Sequence, residues 1–518
     1  MRTHNRYSPL ICLILCALLV AACAAPAAPV ANEDTTVAES SDETTSTDRG
    51  SLRIAHFLGF GGAESIDPYA GPRFLEVITA VYSRLIRPDE HGFASPELAT
   101  SWLASEDATV WTIKLQAGVT FHDGSTFDAA DVVYSFNRIL DPENRFPVAS
   151  TLAVIESIEA NDELTVLFNL NTSYADFPLL LMDYRARIIP EDSGDTIAET
   201  GIGTGPFMLE ELDVEGITTL LANDAYWEGM PGVARIEISA IADADARVQA
   251  MLGGQIDLLG VGSAQRALFE GNAQFAIQEI PVVTEWAGFT MRTDTAPFDD
   301  VRVRKALRMA VDREAMASLV LGNGMGTITC DNPVLPTDPY RANLECPQDI
   351  EGAKALLTEA GYPDGIDVDL HVVPFYSTMA EAYQQQVADA GITVNLVMEA
   401  ADGYWNDVWM VEPFFATSWG TRITDQYLNE LYRSDSPWNE SYWQNPAFDA
   451  LLDDARAELD FEARKALYAQ AQEQLWEETG TFIPFHQDVT IRVTAANVQG
   501  LAPVDAFNIR WQDVRLGD

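Results

Sequence analysis

The sequence predicts an α/β protein with more than one lobe. Segments that alternate apolar and polar side chains, as half-buried strands do, take turns with segments whose apolar side chains repeat at the helical period. The segment 366–398 runs as strand, helix and strand, which favours a mainly parallel sheet. The chain has 518 residues, whereas single hydrophobic cores stop growing near about 250–300 residues. We therefore expect two large lobes.

The other elements follow from the same periodicities. Strands are predicted at 51–57, 109–116, 163–170 and 217–223, and helices at 73–86, 299–320, 349–361 and 461–479. The segment 109–140 predicts a strand, a turn at His-Asp-Gly-Ser and a helix. Asp128 is expected to cap that helix by accepting the amide of Asp131, and both acids favour its first turn.

The composition indicates a folded protein and excludes one class of partner. Hydrophobic residues make up 47%, aromatic residues 10% and charged residues 21% of the chain, which is typical of globular proteins. Acidic residues number 79 against 31 basic ones, for a formal net charge of −48. Such a surface repels the phosphates of a nucleic acid and gains nothing from counterion release, so nucleic-acid binding is set aside. Because the acids are spread along the whole chain, a soluble or salt-adapted surface is favoured over a preference for cationic ligands.

The first fifty residues predict export and membrane anchoring. Arg2 and Arg6 precede an apolar run at 10–22, which is too short to span a bilayer as a helix of about 20 residues. The run ends in Val-Ala-Ala-Cys23, which resembles a bacterial lipobox and implies cleavage before Cys23 and a lipid on its sulfur. An ordinary signal peptide with Cys23 incidental is the alternative. Residues 24–50 predict a flexible tether, since they contain few bulky apolar side chains.

Two further cysteines favour a disulfide. Cys330 and Cys346 remain as an even pair after the predicted cleavage, and the predicted compartment is oxidising. A zinc site is the poorer alternative, because the two thiols lack nearby His or Cys partners.

His122 and Asp123 stand side by side before Gly124 and raise the alternative of an extracellular hydrolase. Adjacent residues on a turn rarely point at a common centre, and a nucleophile and an oxyanion donor would still be needed. The sequence contains neither G-x-S-x-G nor H-E-x-x-H, and its six histidines show no metal-ligand spacing. We therefore predict no enzymatic activity, no metal and no cofactor, and a local role for this turn.

Six stretches in the same order resemble one protein family. The segment 96–139, PELATSWLASEDATVWTIKLQAGVTFHDGSTFDAADVVYSFNRI, is similar to the hallmark segment of the bacterial extracellular solute-binding proteins of family 5, the peptide-binding type of receptor for ABC importers. Further resemblances lie at 203–209 with 223–229, 253–259, 295–314, 353–365 and 445–472. Together they cover nearly all of 51–518.

The resemblance implies a periplasmic-binding-protein-like flytrap of type II, with two α/β lobes around a hinged cleft. Mapped onto this chain, the expected parts are a signal peptide at 1–22, a lipidated cysteine and tether at 23–50, lobe I at 51–95, 200–291 and 485–518, an inserted subdomain at 96–199, and lobe II at 292–484. The chain would cross between the lobes near 289–293 and 482–487.

The resemblance also implies the function. We expect a monomeric lipoprotein, anchored outside the cytoplasmic membrane by its lipid, that captures a peptide or another small organic solute and delivers it to permease subunits with their ATPases. A carboxylated non-peptide ligand, opine-like or an oligosaccharide, is the alternative within the same fold.

The chain departs from the family at the residue that holds the peptide amine. In the peptide-binding branch, an Asp in W-x-x-D-x-x-D-P binds the α-amino group. Here Trp419 occupies the Trp position, Arg422 the first Asp position, Asp425 the second and Gln426 the Pro position. Arg422 predicts a ligand carboxylate or phosphate. Pairing of Arg422 with a neighbouring acid, such as Asp425, is the alternative.

Aromatic and glycine residues complete the predicted ligand site. Small-molecule sites need apolar walls with a few polar anchors, and the carboxyl end of the first strand should face the cleft. In addition to Arg422, Trp419 and Asp425, the expected ligand contacts are Trp405, Tyr404, Trp286, Phe60, Gly61 and Gly62. Packing in the core is the alternative for each aromatic side chain.

Overall fold

The computed structural model describes residues 49–56, 64–70, 73–89, 92–322, 326–400 and 403–517. The predicted signal peptide, Cys23 and almost all of the tether lie outside the described residues. Within the described residues, no helix has both the length and the apolar character needed to cross a membrane.

The elements alternate along the chain, as an α/β protein requires. The strands are β1 (Ser51–Ala55), β2 (Ile86–Pro88), β3 (Ala94–Pro96), β4 (Ala99–Ala104), β5 (Val110–Leu115), β6 (Ile155–Asp162), β7 (Thr165–Leu170), β8 (Phe207–Glu211), β9 (Ile217–Ala222), β10 (Arg235–Ser239), β11 (Leu258–Val261), β12 (Phe275–Met291), β13 (Gly326–Ile328), β14 (Ile366–Val372), β15 (Ile392–Met398), β16 (Phe414–Gly420), β17 (Thr481–Ala495), β18 (Val498–Gln499) and β19 (Arg515–Leu516). The α-helices are α1 (Leu75–Val81), α2 (Ala129–Leu140), α3 (Phe177–Leu180), α4 (Ile197–Thr200), α5 (Ala244–Leu252), α6 (Ser263–Arg266), α7 (Val301–Met309), α8 (Arg313–Val320), α9 (Ile350–Glu359), α10 (Ser377–Val387), α11 (Tyr404–Asp407), α12 (Thr424–Leu431), α13 (Pro446–Ala457) and α14 (Phe461–Glu478).

An 11-stranded mixed sheet runs through the molecule in the order β15-β14-β16-β12-β17-β11-β1-β10-β9-β8, with β13 paired to β17. The predicted strand–helix–strand unit is parallel, since β14 pairs in parallel with β15 and also with β16. On the other side of the sheet, β1 pairs in parallel with β10 and β11. The remaining pairs are antiparallel. The prediction of a mainly parallel sheet is therefore wrong. One βαβ unit shows the relative direction of its own strands but not that of the other strands in the sheet.

The two longest strands connect the halves of this sheet. β12 and β17 pair antiparallel along most of their length, and the register shifts between Pro281 and Glu285 and again between Ala287 and Phe289. The predicted crossovers fall on these strands, while the exact lobe boundaries stay a prediction. A separate antiparallel sheet, ordered β4-β5-β7-β6, packs against α2.

Buried apolar side chains form several cores rather than one. The largest draws on residues between 52 and 258 and on the C-terminal segment 501–514. Two others lie almost entirely between 286 and 485, and a small one surrounds α5. This division agrees with the limit on the size of a single core.

Two predicted helices are shorter than their hydrophobic patterns. The helix predicted at 73–86 ends at Val81, because Tyr82 takes an extended backbone conformation. The helix predicted at 299–320 is two helices, α7 and α8, because the Asp312 side chain accepts the amide of Ala315 at 3.0 Å and begins a new helix. The α2 cap is as predicted: Asp128 and Asp131 form a reciprocal capping box.

Candidate functional site

Three neighbouring strands end at one edge of the main sheet. β14, β15 and β16 are parallel, so their carboxyl ends lie on the same side. The described residues at or just beyond these strand ends are 373–376, 399–400, 403–405 and 419–422. The carboxyl ends of parallel strands are the usual ligand position in α/β sheets. This edge is therefore the candidate site.

A row of tryptophans, which we call the indole ladder, lies at this edge. It consists of Trp405, Trp409, Trp419 and Trp438, whose ring centroids are 6.0, 6.3 and 5.5 Å apart in that order. Trp405 is 49% exposed and Trp438 is 45% exposed. Large aromatic rings are seldom this exposed without a partner. The ladder therefore offers an open apolar wall for a ligand.

Arg422 stacks on the ladder. Its guanidinium carbon lies 4.9 Å from the centroid of the Trp419 ring. Nε donates to Glu430 Oε2 at 2.7 Å, and Nη1 donates to the carbonyl of Gly420 at 3.1 Å. In the described part of the chain, Nη2 has no hydrogen-bond partner, and a quarter of the side chain is exposed. Arg422 is thus paired with Glu430, not Asp425, and keeps one donor for a ligand.

Arg422 also lines a cavity of about 570 Å³, which falls in the range of about 300–1,000 Å³ that small-molecule sites occupy. One wall comes from the segments 335–340, 421–426 and 459–464, and the other from Phe93, Trp102, Trp111 and the segment 175–183. A second cavity of about 820 Å³ shares Phe93, Pro339 and Asn508 with the first. The space beside Arg422 can therefore accept a ligand larger than one amino acid.

A buried carboxylate, that of Glu440, is hydrogen-bonded to one ring of the indole ladder. Glu440 accepts hydrogen bonds from Trp409 Nε1, from Thr417 Oγ1 at 2.6 Å and from Thr290 Oγ1 at 3.3 Å. Burial raises the pKa of Glu440, and these three donors oppose that rise. The indole of Trp409 is thereby fixed in orientation.

Two of the predicted aromatic contacts support the site from inside. Tyr404 is buried, and its hydroxyl donates to the carbonyls of His371 and Ala416 at 3.1 and 2.9 Å. Burial raises the pKa of Tyr404. Trp286 is fully buried and pairs across β12 and β16 with Trp419. Tyr404 and Trp286 were predicted to contact the ligand directly. The structure corrects this prediction, because core packing encloses both rings.

Asp425 has no free oxygen for a ligand. Arg456 Nε and Nη2 donate to its two oxygens, each at 2.8 Å. Tyr174 donates to Oδ2 at 2.7 Å, and Asn429 donates to Oδ1 at 2.9 Å. The predicted ligand role of Asp425 is therefore corrected to a buried ion pair that joins α12 to α13 and to the segment before α3.

Other predicted and unpredicted residues complete the description. Phe60, Gly61 and Gly62 lie outside the described residues. Cys330 and Cys346 are joined by a disulfide. Among the described residues there is no group of three or more His, Cys, Asp or Glu side chains that could hold a metal.

Phe375, which is 80% exposed beside Tyr376, and Glu440 were not predicted. An aromatic pair directly after a strand was the signal for Phe375.

Comparisons with known proteins agree with this architecture. Residues 94–463 match the family described as bacterial extracellular solute-binding proteins, family 5 Middle. Heme-binding protein A of Haemophilus influenzae is 29% identical over 487 residues, which are 86% of this chain and 87% of that protein. Di/tripeptide-binding protein 2 of Pseudomonas aeruginosa is 27% identical over 459 residues, covering 79% of this chain and 85% of that protein.

Solved structures show the same fold. HbpA2 from Haemophilus parasuis has a TM-score of 0.81 at 24% identity, covering 90% of this chain and 100% of that chain. DppA from Helicobacter pylori, in complex with the peptide STSA, has a TM-score of 0.68 at 24% identity, covering 90% and 98%. The two-lobe α/β fold is thereby confirmed.

Proposed function

The chain belongs to family 5 of the bacterial extracellular solute-binding proteins, and from that premise we propose that it is the substrate-binding lipoprotein of an ABC importer. It captures a peptide or another small organic solute at the indole ladder and presents it to the permease. The curated relatives carry names that state heme and di/tripeptide binding. Anchoring through Cys23 and a monomeric state are part of the same proposal.

The ligand carries a carboxylate. The observation that supports this choice is Arg422, which stacks on Trp419 with one donor unfilled. A guanidinium binds a carboxylate through charge-assisted hydrogen bonds. The rest of the ligand packs on the exposed indoles and extends into the 570 Å³ cavity.

Capture follows from a two-state equilibrium. A ligand shifts the protein towards a closed form only if it binds that form more tightly. The walls of the 570 Å³ cavity come from segments on either side of the predicted lobe boundary, so a ligand there contacts both lobes. Micromolar affinity corresponds to about −8 kcal/mol, which several aromatic contacts and one paired charge can supply.

The second candidate is a carboxylated non-peptide solute, opine-like or an oligosaccharide. It is favoured by Arg422, because an arginine stands where the peptide-binding branch has the amine-binding aspartate. An extracellular hydrolase that uses His122 and Asp123 is the remote alternative. Turnover of a candidate substrate by the purified protein, lost in His122→Ala, would establish it.

Native mass spectrometry of ligand that co-purifies with the protein identifies the solute. Calorimetry with that solute then compares the wild type with Arg422→Ala, Arg422→Lys and the control Arg302→Ala, which removes an exposed arginine paired with Asp300. We expect Arg422→Ala to weaken binding by about 10- to 100-fold, as the loss of a charged hydrogen bond of about 1.5–3 kcal/mol implies. The lysine variant should lose less, and the control nothing. Unchanged affinity in Arg422→Ala would contradict the carboxylate proposal.

A further inference from the structure

A second group of basic side chains lies beside the disulfide, on helices α7 and α8. Arg304, Arg308 and Arg313 are each only 4% exposed. None of them contacts the indole ladder. Buried arginines are rare and are normally paired with carboxylates.

One buried carboxylate faces two of these three arginines. The Oδ2 atom of Asp331 accepts from Arg313 Nη2 at 2.8 Å, while Arg308 Nη1 lies 3.6 Å from the same oxygen. Its Oδ1 accepts the amide of Ile483 at 3.0 Å. Arg304 donates to backbone carbonyls, including that of Phe298 at 2.7 Å. The guanidinium groups of Arg308 and Arg313 thus share Asp331, which leaves buried positive charge that is costly without a counter-ion.

Several donors of these arginines are unfilled. Arg308 Nη2 donates to the carbonyl of Trp476 at 2.8 Å, and Arg313 Nη1 donates to that of Cys346 at 3.3 Å. Arg308 Nε, Arg308 Nη1 and Arg313 Nε have no hydrogen-bond partner within the described ranges. A buried donor without a partner destabilises the folded state. Burial, opposed by Asp331, also lowers the pKa of Arg308.

The same two arginines line a cavity of about 290 Å³. Its other walls include Asp331, Cys346 and Trp476. A water occupies about 30 Å³, so this space holds a small anion together with several waters. Lys305 lines it too and pairs with Glu477. Two acids, Glu345 and Asp349, also line the cavity, but both are exposed, so solvent and salt screen their repulsion.

We propose that this cavity is a binding site for a small oxyanion, of the phosphate or sulfate class, held by Arg308 and Arg313. An oxyanion supplies several acceptors to donors on two guanidinium groups and balances the excess charge, whereas a halide offers one centre. The site is independent of the proposed solute site, because it shares none of its residues. Bound anion would join α7, α8, the end of α14 and the disulfide loop.

Thermal unfolding of the wild type, Arg308→Met and Arg302→Met tests the proposal in sodium phosphate and in sodium chloride at equal ionic strength. Arg302 is the matched control, since it lies on the same helix and pairs with Asp300 at the surface. We expect phosphate to raise the Tm of the wild type and of Arg302→Met along a saturating curve, as mass action requires. In Arg308→Met, phosphate should give no saturating rise in Tm. Chloride should give no saturating rise in any of the three proteins.

Three results would overturn the oxyanion site. The first is a rise without saturation that is equal in the wild type and Arg308→Met, which is a general salt effect on the surface. The second is an equal saturating response to chloride. The third is the absence of any heat of binding when the wild type is titrated with phosphate up to millimolar concentration. The cavity would then hold water only. This measurement also decides the question if Arg308→Met does not fold.

Discussion

His122 and Asp123, which resemble catalytic residues in the sequence, hold a turn in the structure. Asp123 Oδ1 accepts the amide and the hydroxyl of Ser125 at 2.9 and 2.7 Å, and Gly124 takes a positive φ of 87°. His122 Nδ1 accepts the amide of Gly203 at 3.3 Å, so Nε2 carries the proton and donates to the carbonyl of Gly205 at 2.9 Å. Asp123 therefore shapes the turn, and His122 joins it to the segment before β8.

His122→Ala should lower stability without changing ligand affinity. Two hydrogen bonds are lost at a largely buried position, so we expect a loss of about 1–3 kcal/mol in the free energy of unfolding. Burial lowers the pKa of His122 below its usual 6.5. Its contribution is therefore complete above pH 6.5 and falls as the pH drops through that value.

Urea unfolding at pH 7.5 and pH 5.5 measures both effects. The wild type should lose more stability on acidification than His122→Ala does. His122→Asn, which keeps one hydrogen bond but cannot titrate, serves as the control: its stability at pH 7.5 should lie between those of the other two proteins, and its loss on acidification should equal that of His122→Ala. A variant with normal stability but weakened ligand binding would contradict a local role for His122.

Helix boundaries depend on caps that hydrophobic periodicity does not record. The apolar positions 303, 306, 307, 310 and 311 continue across the end of α7, so the pattern alone predicts one helix over 299–320. Asp312 separates the two helices, since its side chain accepts the amide of Ala315. The predictions of α2, α9 and α14 agree with the structure, in which each helix begins at a capping aspartate: Asp128, Asp349 and Asp460.

Asp312→Ala should therefore cost about 1 kcal/mol, the usual value of an N-cap. Denaturant unfolding measures the change, and Asp312→Asn should retain most of the stability. Glu314→Ala is the matched control, because Glu314 lies in the first turn of the same helix without capping it. Equal losses in Asp312→Ala and Glu314→Ala would indicate a charge effect at the helix end and not a cap.

Across the whole molecule, the sequence predicted the fold class but not the pairing of distant side chains. Asp425 and Tyr174 are 251 positions apart, and nothing in either local sequence indicates that they meet. Trp286 and Trp405 are both tryptophans near a predicted cleft, yet one is fully buried and the other half exposed. Packing against β16 decides this difference, and packing is set by the complete sheet.

The network around Asp176 joins the start of α3 to α14 and makes stability depend on pH. Asp176 accepts from the hydroxyl of Tyr340 at 2.7 Å and pairs with Arg464 at 3.1 Å. Burial nevertheless raises the pKa of Asp176 to about 6, from 3.8. The folded state therefore binds this proton more tightly than the unfolded state. The stabilising contribution is complete below pH 3.8 and is lost as the pH rises through about 6.

Acidification from pH 7 to pH 5 should stabilise the wild type relative to Asp176→Asn by about 1 kcal/mol, since each pH unit below the folded pKa contributes about 1.4 kcal/mol. The comparison with a variant is needed because other groups titrate too. Asp131, with a pKa raised by burial to about 6, acts in the same direction, whereas His486, with a pKa lowered by burial to about 3, acts in the opposite one.

Urea unfolding of the wild type, Asp176→Asn and the control Asp389→Asn at both pH values isolates this contribution. Asp389 is exposed, so its variant should follow the wild type. Asp176 also lines the 570 Å³ cavity beside Arg422, and protonation there removes a negative charge from the space proposed to receive the ligand carboxylate. Ligand affinity should therefore rise as well between pH 7 and pH 5, and less so in Asp176→Asn. Identical pH dependence in all three proteins would show that Asp176 is already ionised at pH 5 in the folded state.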